Sequence, residues 1–230
     1  MKIFDASNMI ESRPTIYEKY GCAMRVRCTM LEEILGSLPN DKELYTNYIA
    51  SRAPDALTRE EQIAEFGVIE SIERQTTVFP KDKNGNPLIY GYQFDGFLKA
   101  SIKALKYVPE SLIYKDKSFN SKNKSIIDTK IKTFPVGGSN SNNRKILIQG
   151  FKLEDLHICQ RPLFIQDRAG TRVSLASSEA IPAGAYIDID IYMMDETFRP
   201  YIEEALDYGQ INGLLQWRNS GKGAFSWSYI

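Results

Sequence analysis

Apolar residues recur along this chain with two periods, and the switches between them mark its elements. In Ala185-Tyr186-Ile187-Asp188-Ile189-Asp190-Ile191-Tyr192 the isoleucines fall on one face and the aspartates on the other. That alternation predicts a half-buried strand with Asp188 and Asp190 toward solvent. Cys22 to Cys28 alternates too and reads as the first strand. Its Arg25 and Arg27 share a face that either meets solvent or lies against a phosphate backbone. Phe94 to Val108 switches to the helical period, with Phe94, Phe97, Leu98, Ile102 and Leu105 on one side and Lys99, Lys103 and Lys106 opposite; Pro109 ends it. Thr197 to Tyr208 repeats the pattern, with Thr197 as N-cap, Tyr201, Ile202, Ala205 and Leu206 on one face and Gly209 as the stop. Helices are also predicted over 44–50 and 58–66, the second opened by Thr58-Arg59-Glu60-Glu61, close to a capping box.

Strands are predicted near 2–4 and over 75–80, returning through the Asn84-Gly85 turn to 88–90. Further strands fall at 144–149 and at 161–165 with 171–176, joined by the turn Asp167-Arg168-Ala169-Gly170. Phe225, Trp227 and Tyr229 alternate as a closing strand. Val136 to Asn143 is a flexible run by composition. Nothing repeats at solenoid spacing.

Composition narrows the class. Of 230 residues, 43% are hydrophobic and 25% charged, ordinary for a soluble globular chain with room for a core. No run reaches the ~20 apolar residues of a membrane span, and Met1-Lys2-Ile3-Phe4-Asp5 lacks a signal peptide's apolar centre. Cys22, Cys28 and Cys159 are odd in number and without CxxC spacing, which points to reduced thiols in a cytoplasm. Net charge is zero, but between Glu110 and Gly150 eight basic residues stand against three acidic ones, a net +5. The eight are Lys115, Lys117, Lys122, Lys124, Lys130, Lys132, Arg144 and Lys145. Such a segment is either a solvated lysine-rich loop or a focused footprint for a polyanion. Arg161, Arg168 and Arg172 add a second basic group on the 161–176 hairpin.

Catalytic signatures are sparse. The chain has no P-loop, GxSxG, HExxH or dinucleotide fingerprint, and no cofactor or metal is expected. His157, the one histidine, stands among apolar neighbours in Leu156-His157-Ile158-Cys159, where a structural role outweighs a catalytic one. Asp82 and Asp95 sit in no motif. The chain's chemistry concentrates near its end instead. Gly213, Gly221 and Gly223 permit positive φ and close backbone approach, and successive N–H groups beside Arg218 and Lys222 would form a concavity for phosphate. Trp217 offers a stacking surface for a base, or else belongs to the core.

The order strand, helix, glycine loop with basic tip, strand resembles the glycine-rich loop of the RAMP superfamily, the crRNA-binding and processing subunits of CRISPR effector complexes. Gly213-Leu214 and Gly221-Lys222-Gly223-Ala224 follow that pattern, with a spacing one longer and Lys222 at an apolar position. Ile89 to Lys99 is similar to the segment that leads into the family's first helix, with Gly96 and Lys99 at its small and basic positions. The resemblance covers roughly 21–30, 71–109 and 144–230. It implies an α+β, ferredoxin-like (RRM-like) β-α-β-β-α-β domain spanning 1–230, with a helical insertion at 31–70 and a basic, flexible, thumb-like insertion at 110–143. Strands 22–28, 144–149, 185–192 and 223–229 would share a sheet covered by both long helices. The chain also looks like uncharacterised proteins of bacterial viruses and prophages. The implied function is non-catalytic, sequence-tolerant binding of single-stranded RNA or DNA in a host cytoplasm by a stand-alone relative of the backbone-type subunits, with self-association into a head-to-tail filament. Lys99, Lys103, Lys115, Lys117, Lys122, Lys124, Arg144, Lys145, Arg168, Arg172, Gly213, Trp217, Arg218, Gly221, Lys222 and Gly223 are the expected contacts. Two alternatives are a mimic of a CRISPR subunit that inhibits a host complex through a protein partner, and an endoribonuclease using His157.

Overall fold

The computed structural model describes residues 22–39, 76–119, 130–137, 144–167 and 170–230. In chain order the first elements are β1 (Cys22–Met30), β2 (Ile34–Leu35), β3 (Leu38–Pro39), β4 (Thr76–Val78), β5 (Leu88–Tyr90), α1 (Gly91–Leu105) and α2 (Leu112–Lys115). There follow β6 (Ile131–Pro135), β7 (Lys145–Leu147), β8 (His157–Asp167), β9 (Gly170–Ile181), β10 (Tyr186–Met193), α3 (Arg199–Asp207) and β11 (Phe225–Tyr229). The expected helices at 44–50 and 58–66 and the strand near 2–4 lie outside the described residues.

A four-stranded sheet in the order β11-β1-β10-β6, antiparallel throughout, forms the centre. Alternation decides its buried face: Met24, Val26 and Cys28 from β1 join Ile187, Ile189 and Ile191 from β10, each at most 1% exposed. α1 and α3 pack against each other and share one core with that face. Phe94 and Phe97 from α1 close on Phe225 of β11 with ring centroids 6.3 and 5.1 Å away.

The opposite face corrects the sequence. Register sets Arg25 across from Asp190 and Arg27 across from Asp188. Both guanidinium groups fork onto the facing carboxylate, with bonds of 2.7 and 3.0 Å to Asp190 and two of 2.7 Å to Asp188. Gly137 N–H also donates to Asp190, whose side chain is 2% exposed. These aspartates are therefore not a solvent face, and the two arginines spend their charge within the sheet.

Helix boundaries move for local reasons. α1 begins at Gly91, three residues before Phe94, because the Gln93 side chain turns back to accept the Tyr90 N–H at 2.8 Å. Its predicted apolar face, Phe94, Phe97, Leu98, Ile102 and Leu105, is buried. Asp195 and not Thr197 caps the turn before α3, accepting the Thr197 N–H at 2.9 Å. Gly209 does not stop α3 in a left-handed conformation; Tyr208 is the C-cap. Gly209 is needed for space, since a Cβ there would lie 2.4 Å from the Phe225 ring.

Strand 144–149 is corrected as well. β7 pairs with β5 in a separate ribbon, and just beyond it Gln149 bridges Tyr186 of the central sheet. β6 takes the edge position instead, inside the segment 110–143 expected to be a flexible insertion. Five residues ending at Pro135, among lysines, are too few for the burial of Ile131, Thr133 and Phe134 to show as a period. The 75–90 hairpin also divides: β4 joins β3 and β9, while β5 pairs with β7. Asp82 serves that turn, accepting N–H bonds from Asn84 and Asn86 at 2.9 and 2.8 Å. Residues 31–39, placed in the helical insertion, are extended through β2 and β3. β8 and β9 form one hairpin paired from His157–Ala180 to Asp167–Gly170, longer than its alternation indicated.

Candidate nucleic-acid interface

The glycine loop between α3 and β11 is built by contact of backbone on backbone. Leu214 N–H donates to Gly223 O at 2.8 Å. A Cβ on Gly213 would lie 2.2 Å from the carbonyl carbon of Gly223, and one on Gly223 would lie 2.2 Å from Leu214 O. Neither position has room for a side chain. Between them Leu215 and Trp217 hold φ of 61° and 60°, a region that non-glycine residues adopt at a cost of about 1–2 kcal/mol each. A single 3-10 turn, Arg218–Ser220, then ends on Gly221 at φ 81°. Gly221 is glycine for its conformation alone, since nothing lies within 4 Å of its would-be Cβ.

Five amides at the end of the loop are turned inward. Ser220, Gly221, Lys222 and Ala224 N–H donate to carbonyls of Trp217, Arg218, Trp217 and Gly221, and Gly223 N–H donates to Glu33 O at 2.9 Å. Those five amides are thus satisfied within the chain, and the charge of the loop lies in its side chains.

Those side chains are brought together from three segments. Trp217 is half-buried and outside the core, and the Arg161 guanidinium of β8 lies 3.7 Å over its ring. Arg218 is half-buried and forms no ion pair among the described residues. Lys222 behaves differently: its Nζ sits 2.6 Å from Glu33 and 3.9 Å from Glu32. That hydrogen bond, with the charge of both glutamates, raises the Lys222 pKa. Glu33 also meets His157 Nε2 at 3.0 Å and the Cys159 thiol at 3.5 Å. Burial pushes the Glu33 carboxyl up, but the bonds from Lys222, His157 and Cys159 outweigh it and hold it below the ordinary range. Burial and the Glu33 charge push the Cys159 thiol up, and burial, with the Asp188 charge added, pushes the Cys28 thiol up. His157 Nδ1 faces Asp155 O at 3.1 Å, so both ring nitrogens have partners within the chain.

The other expected contacts scatter. Arg144 is 10% exposed and pairs with Asp95, 6% exposed, while its Nε donates to Thr133 O at 3.1 Å. It clamps α1 to β6; a Cβ on Gly91 would strike Thr133 O at 2.3 Å in the same junction. Asp95 likewise serves this clamp and accepts Thr133 N–H at 3.1 Å. Lys103 and Lys117 are exposed, and Lys115 is 57% exposed with Glu110 3.5 Å away. Lys99 and Lys145 are half-exposed. Gly96 is exposed, with open space around it. Arg172 pairs with Ile165 in the hairpin register. Lys122, Lys124 and Arg168 lie outside the described residues. Among the described residues no group of three or more His, Cys, Asp and Glu side chains forms a metal site, and no helix is long and apolar enough to cross a membrane. The sequence missed Glu33, whose partners stand more than 120 residues away, and left Arg161 unconnected to Trp217, with which it has no local pattern in common.

No protein-family model and no curated protein matches the chain. Solved structures match it in fold. A chain in the cryo-EM structure of the Type III-B Cmr-beta bound to cognate target RNA superposes with a TM-score of 0.50 at 11% identity, covering 93% of this chain. The present chain spans 61% of that one's length. The crystal structure of Cmr6 from Pyrococcus furiosus aligns over 92% of this chain and 99% of its own at 8% identity and a TM-score of 0.41. At these identities the similarity is one of architecture.

Proposed function

We propose that this protein binds single-stranded nucleic acid, RNA first, across its glycine loop and the foot of the β8–β9 hairpin. The observation that carries this is the loop: a rigid turn holds Trp217 and Arg218 at the surface, and Arg218 has no carboxylate partner among the described residues. Two findings support it. The connection order β1-α1-β6-β10-α3-β11 with spatial order β11-β1-β10-β6 fits a ferredoxin-like unit of RAMP type. The Type III-B Cmr-beta structure, which the fold resembles, was determined bound to target RNA. Phosphates are met by arginine and lysine, and Trp217 adds a base-stacking surface on any face that Arg161 leaves open.

Fluorescence anisotropy with a labelled single strand of about 30 nucleotides tests this. If Arg161, Arg218, Lys115, Lys117, Lys122 and Lys124 each neutralise one phosphate, log affinity falls against log salt with a slope of about −4, at ~0.7 per phosphate. Arg218→Ala shallows the slope by roughly 0.7 for every sequence alike. Lys222→Ala leaves the slope unchanged, because Glu33 already neutralises that charge. Absence of binding at low salt refutes the proposal, and capture of a CRISPR-complex protein without oligonucleotide affinity favours the inhibitor alternative.

A further inference from the structure

Arg161 is an unusual arginine. Its Nε and the indole Nε1 of Trp217 are both shut off from solvent and without a hydrogen-bond partner. No carboxylate meets the guanidinium among the described residues, and burial lowers its pKa, opposed only by Cys159. Buried donors without acceptors cost about 1–3 kcal/mol each in general. The fold nevertheless fixes this group: β8 supplies its backbone position, and the left-handed Trp217 sets its indole centroid 3.7 Å from the Arg161 Cζ. Glu33, which meets Cys159 two residues before Arg161, is already taken by Lys222, His157 and Cys159. A flat guanidinium held on an indole keeps its N–H edge in one plane, the geometry that meets two oxygens of a phosphate at once.

We infer that Arg161, seated on Trp217, is the receptor for one phosphodiester group of a bound single strand. This deepens the nucleic-acid reading and rests on it. A neutral base edge satisfies donors but leaves the charge uncompensated, whereas a phosphate supplies both oxygens and charge. Trp217 is therefore the platform that orients Arg161, and Arg218, one residue along the loop, meets the next part of the backbone.

The chain holds two tryptophans, so Trp227→Phe leaves Trp217, beside Arg161, as the sole tryptophan reporter. Titrating that variant with an unlabelled single strand of about 30 nucleotides should change the Trp217 emission, saturating at the concentrations where anisotropy of the unsubstituted protein saturates. Arg161→Gln should weaken binding roughly tenfold or more and shallow the salt slope by about 0.7. Arg161→Lys should keep the slope but lose affinity, since an ammonium carries the charge without the fork. Inorganic phosphate in place of the oligonucleotide should give the emission change only at far higher concentration. Normal binding and slope in Arg161→Gln overturn the subsite while leaving nucleic-acid binding intact. An emission change with phosphate but none with oligonucleotide overturns the assigned ligand, and failure of the unsubstituted protein to bind any strand overturns both inferences.

Discussion

Replacing Asp95 with alanine leaves the Arg144 guanidinium buried without its counter-charge, and removal of one member of such a pair typically costs about 3–5 kcal/mol. Chemical denaturation should show that loss for Asp95→Ala, whereas a surface contact for nucleic acid would lose affinity and keep its stability. Glu33 acts on a second group of residues. Its carboxyl is held low in the folded chain, so its bonds contribute stability above the unfolded value of about 4.3 and lose it as pH falls through the depressed folded value. Glu33→Gln should therefore be less stable than the unsubstituted protein at neutral pH, by on the order of 1–2 kcal/mol for hydrogen bonds to a charged group. The two unfolding curves should converge in acid. A gap that persists once pH falls below the depressed folded value would show that shape and not charge explains Glu33.

At the scale of elements, the glycine loop makes a graded set of claims. Gly213→Ala and Gly223→Ala each drive a methyl into backbone atoms 2.2 Å away, which neither loop arm can yield without separating. Both should destabilise by more than about 3 kcal/mol or prevent folding. Gly221→Ala meets no atom and should cost only about 1–2 kcal/mol, the penalty of a left-handed conformation. Equal effects at all three positions, measured by thermal unfolding, would mean the loop is not held by close approach. The loop, the β1–β2 connection through Glu33 and the foot of the β8–β9 hairpin form one junction, so disturbing any of the three should disturb the others.

For the molecule as a whole, β11 is an edge of the central sheet among the described residues, with β1 on its other side. Head-to-tail assembly along a strand remains a proposal at this scale, and light scattering decides it. Species that grow with the length of added oligonucleotide support assembly; a monomer with and without oligonucleotide removes it.

Periodicity alone determined much of the architecture. The alternation of β1 and β10, the apolar faces of α1 and α3 and the closing strand were legible because burial on one face imposes a period of two or near four. Glycines 213, 221 and 223 were legible as a loop but not as distinct cases, since crowding and positive φ leave the same letter in the sequence. Tertiary structure decided charge. Arg25, Arg27, Arg144 and Lys222 look like four cations for a polyanion, yet each faces a carboxylate remote in the chain, at Asp190, Asp188, Asp95 and Glu33. Arg161, which its local sequence did not separate from its neighbours, is an arginine held on an aromatic ring without an acid partner among the described residues. Which charges remain available depends on pairings across sheets and loops, and no local period encodes those.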